Sequence, residues 1–151
     1  MTPFSVLRVI IEGILREGSR LEMEEFGALL CSALGLVAIA GLAHYIRNAA
    51  ARGSLDRNSA IGLRTRITKS SDAAWVEGHR AAAPWLMSCA FTGYFIGLLT
   101  VGAAIIAVPT GFVGPALLAL PAAGFAAAVV ILVAATAIAN RRGRGAVANR
   151  E

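Results

Sequence analysis

The stretch PWLMSCAFTGYFIGLLTVGAAIIAV, Pro84 to Val108, holds no Asp, Glu, Lys or Arg. Two further runs share that property: FGALLCSALGLVAIAGLAHYI from Phe26 to Ile46, and PALLALPAAGFAAAVVILVAATAIA from Pro115 to Ala139. A helix needs about 20 apolar residues to cross the hydrocarbon core of a bilayer, and each run is that long. A water-soluble fold would require a polar face on some of these helices, and none is written here. The fold class is therefore an all-α integral membrane protein with three transmembrane helices, spanning about 26–46, 84–108 and 115–139. The bulk composition agrees, with 57% hydrophobic residues and 15% charged and a mean hydropathy of +0.69.

Charge sets the expected orientation. Between Arg47 and Arg80 lie seven basic residues, and Arg141, Arg142, Arg144 and Arg150 follow the third run; the link Pro109–Gly114 carries no charge. Lys and Arg beside span ends stay in the cytoplasm. Eleven basic residues thus place the 47–83 loop and the C-terminus inside, against Arg8, Arg16 and Arg20 outside. The N-terminus is expected outside and the C-terminus in the cytoplasm. A net charge of +5 distributed in this way reads as topogenic, with some contact to anionic headgroups. No direct contact with nucleic acid is expected.

Outside the spans, Phe4, Leu7, Ile11, Ile14 and Leu15 recur at helical spacing in residues 1–25, while Arg8, Glu12 and Arg16 line another side. This pattern predicts an amphipathic helix lying on the membrane surface. Translation from Met23 is an alternative start. Asn140–Glu151, rich in Arg and Gly, is expected to be a basic, disordered tail. Gly27, Cys31 and Gly35 recur every four residues, and Gly93 and Gly97 make a GxxxG spacing; both suit close helix approach, the second within the chain rather than in a dimer. Pro121 is expected to kink the third span slightly. Cys31 and Cys89 both fall in spans and read as small apolar residues.

The loop holds the sequence's most informative residues. Ser70, Ser71 and Asp72 carry helix-start chemistry, so a short helix over 72–83 should lead into the second span. Gly62 permits a turn or close approach. Arg64 offers a planar fork of donors. Asn58 and Thr65 stabilise turns. Trp75 suits the membrane–water interface, and His79, one turn on, is placed there with it; His44 is the other interface imidazole. The expectation is a structured cytoplasmic loop, a folded cap with Arg64 as its central donor, which can also be a binding site.

In order, Asn58, Gly62, Arg64, Thr65, Ser71, Asp72, Trp75, His79 and Arg80 resemble the signature of the SdpI family of bacterial membrane proteins, in a short, three-span form. That resemblance covers roughly 41–85 by motif and the flanking spans by hydropathy. It implies a multi-pass protein of the bacterial plasma membrane. The family's named member, a larger protein with further N-terminal spans, protects its cell from a secreted antimicrobial peptide toxin and draws a transcriptional repressor to the membrane. Immunity or membrane-linked signalling by binding is thus the implied role. A structural or accessory subunit of a larger membrane complex is the alternative, and a small-molecule or lipid carrier a third reading. Two histidines with scattered carboxylates fall short of a metal site. With no nucleophile elbow, phosphate loop or intramembrane carboxylate pair, neither an enzyme nor a cofactor is expected. The site residues are Asn58, Gly62, Arg64, Thr65, Trp75 and His79.

Overall fold

A computed structural model describes residues 3–107, 110 and 115–148. It consists of three helices, α1 (Pro3–Ala51), α2 (Asp72–Ala107) and α3 (Pro115–Ala148), with no strand among the described residues. Each helix is long and apolar enough to cross a membrane, and the expected spans fall inside them, apart from Val108, which lies outside the described residues. At 1.5 Å per residue, α2 and α3 are each over about 50 Å long and α1 about 73 Å. All three therefore outrun a hydrocarbon core of about 30 Å.

α2 lies between the other two. Gly93 and Gly97 are its contact with α1: a Cβ on Gly93 would stand 2.8 Å from Ala40 Cβ and 2.9 Å from the Leu36 carbonyl oxygen, and one on Gly97 would stand 3.1 Å from Val37. The GxxxG pair thus serves packing within the chain. The Leu36 side chain, fully buried, fills the space left by Gly124 together with Ile96. The rest of the core is largely alanine, with Ala33, Ala40, Ala82, Ala90, Ala128 and Ala135 all buried. In lipid there is no hydrophobic gain from helix association, so close backbone approach across small residues supplies the packing. The Gly27–Cys31–Gly35 stripe does not act as a unit. Gly35 receives the Phe125 ring, but Cys31 is exposed and a Cβ on Gly27 would meet nothing within 4 Å among the described residues. Cys89, by contrast, is buried.

The expected boundaries shift in three places. α1 runs without interruption from Pro3, so the amphipathic segment and the first span are one helix. No proline or turn chemistry follows Pro3 to end it, and Arg8–Glu12 (2.8 Å) and Arg20–Glu24 (3.1 Å) bridge successive turns. Phe26 and Leu29, which pack with Ala104 and Leu117, mark where α1 joins the bundle; before them Ile11, Leu15 and Met23 are exposed. α2 continues through Pro84, so the short helix over 72–83 is its first three turns. α3 continues to Ala148, where a disordered tail was expected from Asn140. Gly143 holds it: a Cβ there would lie 3.3 Å from both the Ala74 carbonyl oxygen and Ile67. Asn149–Glu151 lie outside the described residues.

Candidate functional site

With three alternating helices, the C-terminus of α1, the N-terminus of α2 and the C-terminus of α3 meet at one end of the bundle. Residues 52–71 close over that end. α1 stops in a Schellman motif: Gly53, at φ +68°, donates to the Ala50 carbonyl (3.2 Å), and Ser54 donates to Ala49 (3.0 Å). The turn drops Leu55 into the core. Ser71 starts α2, its hydroxyl accepting the Ala74 N–H at 3.1 Å, as its sequence context predicts.

Trp75 and His79, one turn apart on α2, form the centre of the cap. Trp75 is 2% exposed and His79 1%, so both rings face the protein interior rather than the surface, while Trp85, just past Pro84, is exposed. The Trp75 Nε1–H donates to the Leu55 carbonyl at 2.6 Å. Its ring tilts against the His79 ring at a centroid distance of 4.1 Å. His79 Nε2 accepts the Leu63 N–H at 2.8 Å. That assigns the proton to Nδ1, which donates to the Trp75 carbonyl at 2.9 Å. Gly62 sits on both rings at φ +128°, where a Cβ would be 2.8 Å from Trp75 and 2.9 Å from His79 Nε2. Burial pushes the His79 imidazole below its usual pKa, the bond to the Trp75 carbonyl opposing this more weakly. The neutral form is the one the cap needs, because a protonated Nε2 cannot accept.

Thr65 and Thr68 make the second half of the cap. The Thr65 N–H donates to Thr68 Oγ1 (3.0 Å) and the Thr68 N–H to Thr65 Oγ1 (3.1 Å). Thr68, fully buried, donates its hydroxyl to the Leu63 carbonyl at 2.5 Å. The Thr65 hydroxyl donates to Asn140 Oδ1 on α3, tying the loop to the third helix. Beneath Thr68, α2 and α3 approach at Gly78, where a Cβ would lie 3.1 Å from the Ala139 carbonyl oxygen.

Four expected site residues, Gly62, Thr65, Trp75 and His79, therefore come together. Asn58 and Arg64 stay on the surface. Arg64 is exposed and donates to the Ser59 carbonyl, a local turn contact, so it is not the central donor; backbone N–H groups and the Trp75, His79 and threonine side chains take that part. Arg57 Nε lies 2.8 Å from the exposed Asp72 carboxylate without the alignment of a hydrogen bond, leaving an ionic contact at the cap's edge. Leu55, Thr68, Gly78 and Asn140 were not singled out from sequence. His44 stands apart from His79, edge-on to Tyr94 at 6.2 Å.

The arrangement is a clasp between loop and helices. Both nitrogens of its imidazole are engaged within the chain, and its outer surface is basic: Arg52, Arg64, Arg66, Lys69, Arg80, Arg141, Arg142 and Arg144 are all exposed at this end. Fold and clasp together define a multi-pass, all-helical membrane protein whose helices are joined at one end by a hydrogen-bonded loop. A family model described as the SdpI/YfhL protein family matches residues 54–139, and the chain belongs to that family. No curated protein and no solved structure matches the chain significantly.

Proposed function

We propose that this chain is a non-enzymatic protein of the bacterial plasma membrane that acts by binding, in immunity to a peptide toxin or in membrane-linked signalling. The supporting observation is where the family match falls. It begins at Ser54, in the turn that opens the cap, and ends at Ala139, which packs on Gly78. The matched stretch thus holds the cap loop, α2 and α3 as far as Ala139, one residue short of Asn140, and the role is attached to that unit. Its basic outer face lies on the cytoplasmic side, since Lys and Arg beside span ends are retained there. From that side it presents positive charge to a transcriptional repressor, while the opposite end of the bundle faces a toxin arriving from outside.

The test is expression in cells sensitive to a family-type peptide toxin and lacking their own immunity protein, together with a fluorescent repressor. Survival or membrane recruitment that is lost on Thr68→Val, at equal membrane abundance, supports the reading. Neither effect from the intact chain would overturn it. The exposed N-terminal part of α1, with Ile11, Leu15 and Met23 uncovered, favours a second reading, a subunit packed on a larger membrane complex. That reading requires a stoichiometric partner that dissociates when residues 2–22 are removed.

A further inference from the structure

The outer face of α3 carries a shallow groove of about 470 Å³, lined by Val129, Leu132, Val133, Thr136, Ala137 and Asn140. The spacing follows one side of a helix through i, i+3 and i+4 steps. From Val129 to Asn140 the groove rises about 16 Å, the depth of one leaflet of a hydrocarbon core about 30 Å thick. One further turn carries its two columns onto arginine, Ala137 to Arg141 and Asn140 to Arg144. Both arginines are exposed, and the helix that bears them is fixed by Gly143 against Ala74 and Ile67. Arg66 of the cap loop shares a second depression with Arg144. Glu77, the acidic residue in the neighbouring depression with Arg141 and Arg142, lies 3.9 Å from Arg80 on its own helix.

We propose that this face of α3 binds an anionic phospholipid, with an acyl chain along Val129–Ala137 and its phosphate between Arg141 and Arg144. An apolar channel one leaflet deep, followed one helical turn on by two exposed arginines, matches the two parts of such a molecule. A guanidinium fork engages phosphate oxygens in pairs. Asn140, whose Oδ1 accepts from Thr65, keeps its amide hydrogens as donors at the boundary. The bound lipid would sit against the element that Thr65 ties to the cap.

Native mass spectrometry of the full chain in neutral maltoside detergent tests this, with phosphatidylglycerol or phosphatidylcholine added. The intact protein should retain phosphatidylglycerol selectively. At about 1 kcal/mol per arginine near a lipid surface, Arg141→Gln with Arg144→Gln should weaken retention about 30-fold. Arg52→Gln with Lys69→Gln removes the same charge from the same end, at exposed positions away from the groove, and should change it less than threefold. Ala137→Trp fills the groove with every charge kept, and should also lose the lipid. Equal loss in the two double variants would reduce the site to net charge and overturn the proposal. So would undiminished binding to the Ala137→Trp protein, or competition by glycerol 3-phosphate as strong as by the lipid, which would make the ligand a free phosphate.

Discussion

Thr68 and Thr100 are both fully buried, yet they do different things. Thr100 sits in the middle of the bundle and returns its hydroxyl to the Ile96 carbonyl of its own helix at 2.8 Å. Thr68 sits in the cap, where its oxygen accepts the Thr65 N–H and its hydrogen goes to the Leu63 carbonyl. The first bond duplicates one the helix already makes, since that carbonyl also receives a backbone N–H. The second supplies partners to loop backbone groups outside any helix. The bundle is thus held by size, through Gly93, Gly97, Gly124 and buried alanines, and the cap by specific polar pairing around one aromatic pair. Regular backbone satisfies itself, so helices in lipid need only fit; irregular backbone must be satisfied by side chains.

The largest effect should come from the tightest position at which the cap too is held by size. Gly62→Ala would place a Cβ within 3 Å of both rings at φ +128°, combining strain with overpacking at about 2–5 kcal/mol. The thermal midpoint in detergent should fall, and Trp75 fluorescence should shift to the red in a Trp85→Phe background. Gly93→Ala, pressing on Ala40 and the Leu36 carbonyl, should cost about 1–3 kcal/mol while leaving that fluorescence unchanged. Identical fluorescence changes in the two variants would mean that cap and bundle melt as one, and the contrast would collapse.

The threonine pair sharpens the comparison directly. Thr68→Val keeps the shape but strands the Thr65 N–H and the Leu63 carbonyl, at about 1–3 kcal/mol. Thr100→Val leaves its helix bonds intact and should stay within about 0.5 kcal/mol. Melting curves of both variants in one detergent give the comparison; a Thr100→Val loss as large as that of Thr68→Val would show that burial, not backbone partnership, sets the cost.

Acid should act on the cap alone. Burial holds the folded-state pKa of His79 below the ordinary 6.5, so between those two values the unfolded chain binds more protons than the folded one. The stability carried by neutral His79 is complete above about pH 6.5 and is lost as pH falls through that value toward the folded pKa. The thermal midpoint should therefore drop between pH 7.5 and 5, with a red shift of Trp75 emission in the Trp85→Phe background. His79→Gln should flatten the dependence. A midpoint that rises on acidification of the intact chain would reverse the assignment of Nε2 as acceptor.

What was legible in the sequence follows the same division. The three spans could be read because absence of charge over 20 or more residues is a one-dimensional signal. Gly62 and Thr65 were legible as turn chemistry, and Ser71 as a helix cap. The environment of Trp75 and His79 was not: spacing placed them on one face of a helix, but only the fold shows that Leu55 and Leu63 cover that face. Trp75 therefore reads from sequence as a surface ring at the membrane boundary, whereas in the fold it is buried and it is Trp85 that is exposed. Asn140 carried no local signal, because its bond crosses to Thr65, 75 residues away; Thr68 bonds within five residues, to Leu63 and Thr65, but its burial comes from packing that the local pattern does not write. The continuation of α1 before Phe26 and of α3 after Asn140 was hidden for a related reason. Change in polarity marks where a helix leaves the bilayer, not where it ends.

The smallest effect should be at Arg64, the residue expected from sequence to be the central donor of the cap. A guanidinium that bridged several groups could not be replaced by lysine, because an ammonium lacks the rigid fork. In the fold, Arg64 is exposed and its hydrogen bond goes to the Ser59 carbonyl, five residues back in the same turn. A single exposed bond of this kind contributes little, since water replaces it when the side chain is cut, and surface substitutions generally stay within about 0.5 kcal/mol. Arg64→Lys and Arg64→Ala should therefore both melt within a few degrees of the intact protein, and close to Arg66→Ala. A drop for both Arg64 variants as deep as that for Thr68→Val would put Arg64 back among the groups that hold the cap. If stability stays level while toxin survival or repressor recruitment falls with Arg64→Ala and is kept with Arg64→Lys, Arg64 acts outward, as positive charge offered to a partner. Loss with both substitutions would instead call for the planar fork itself at that contact.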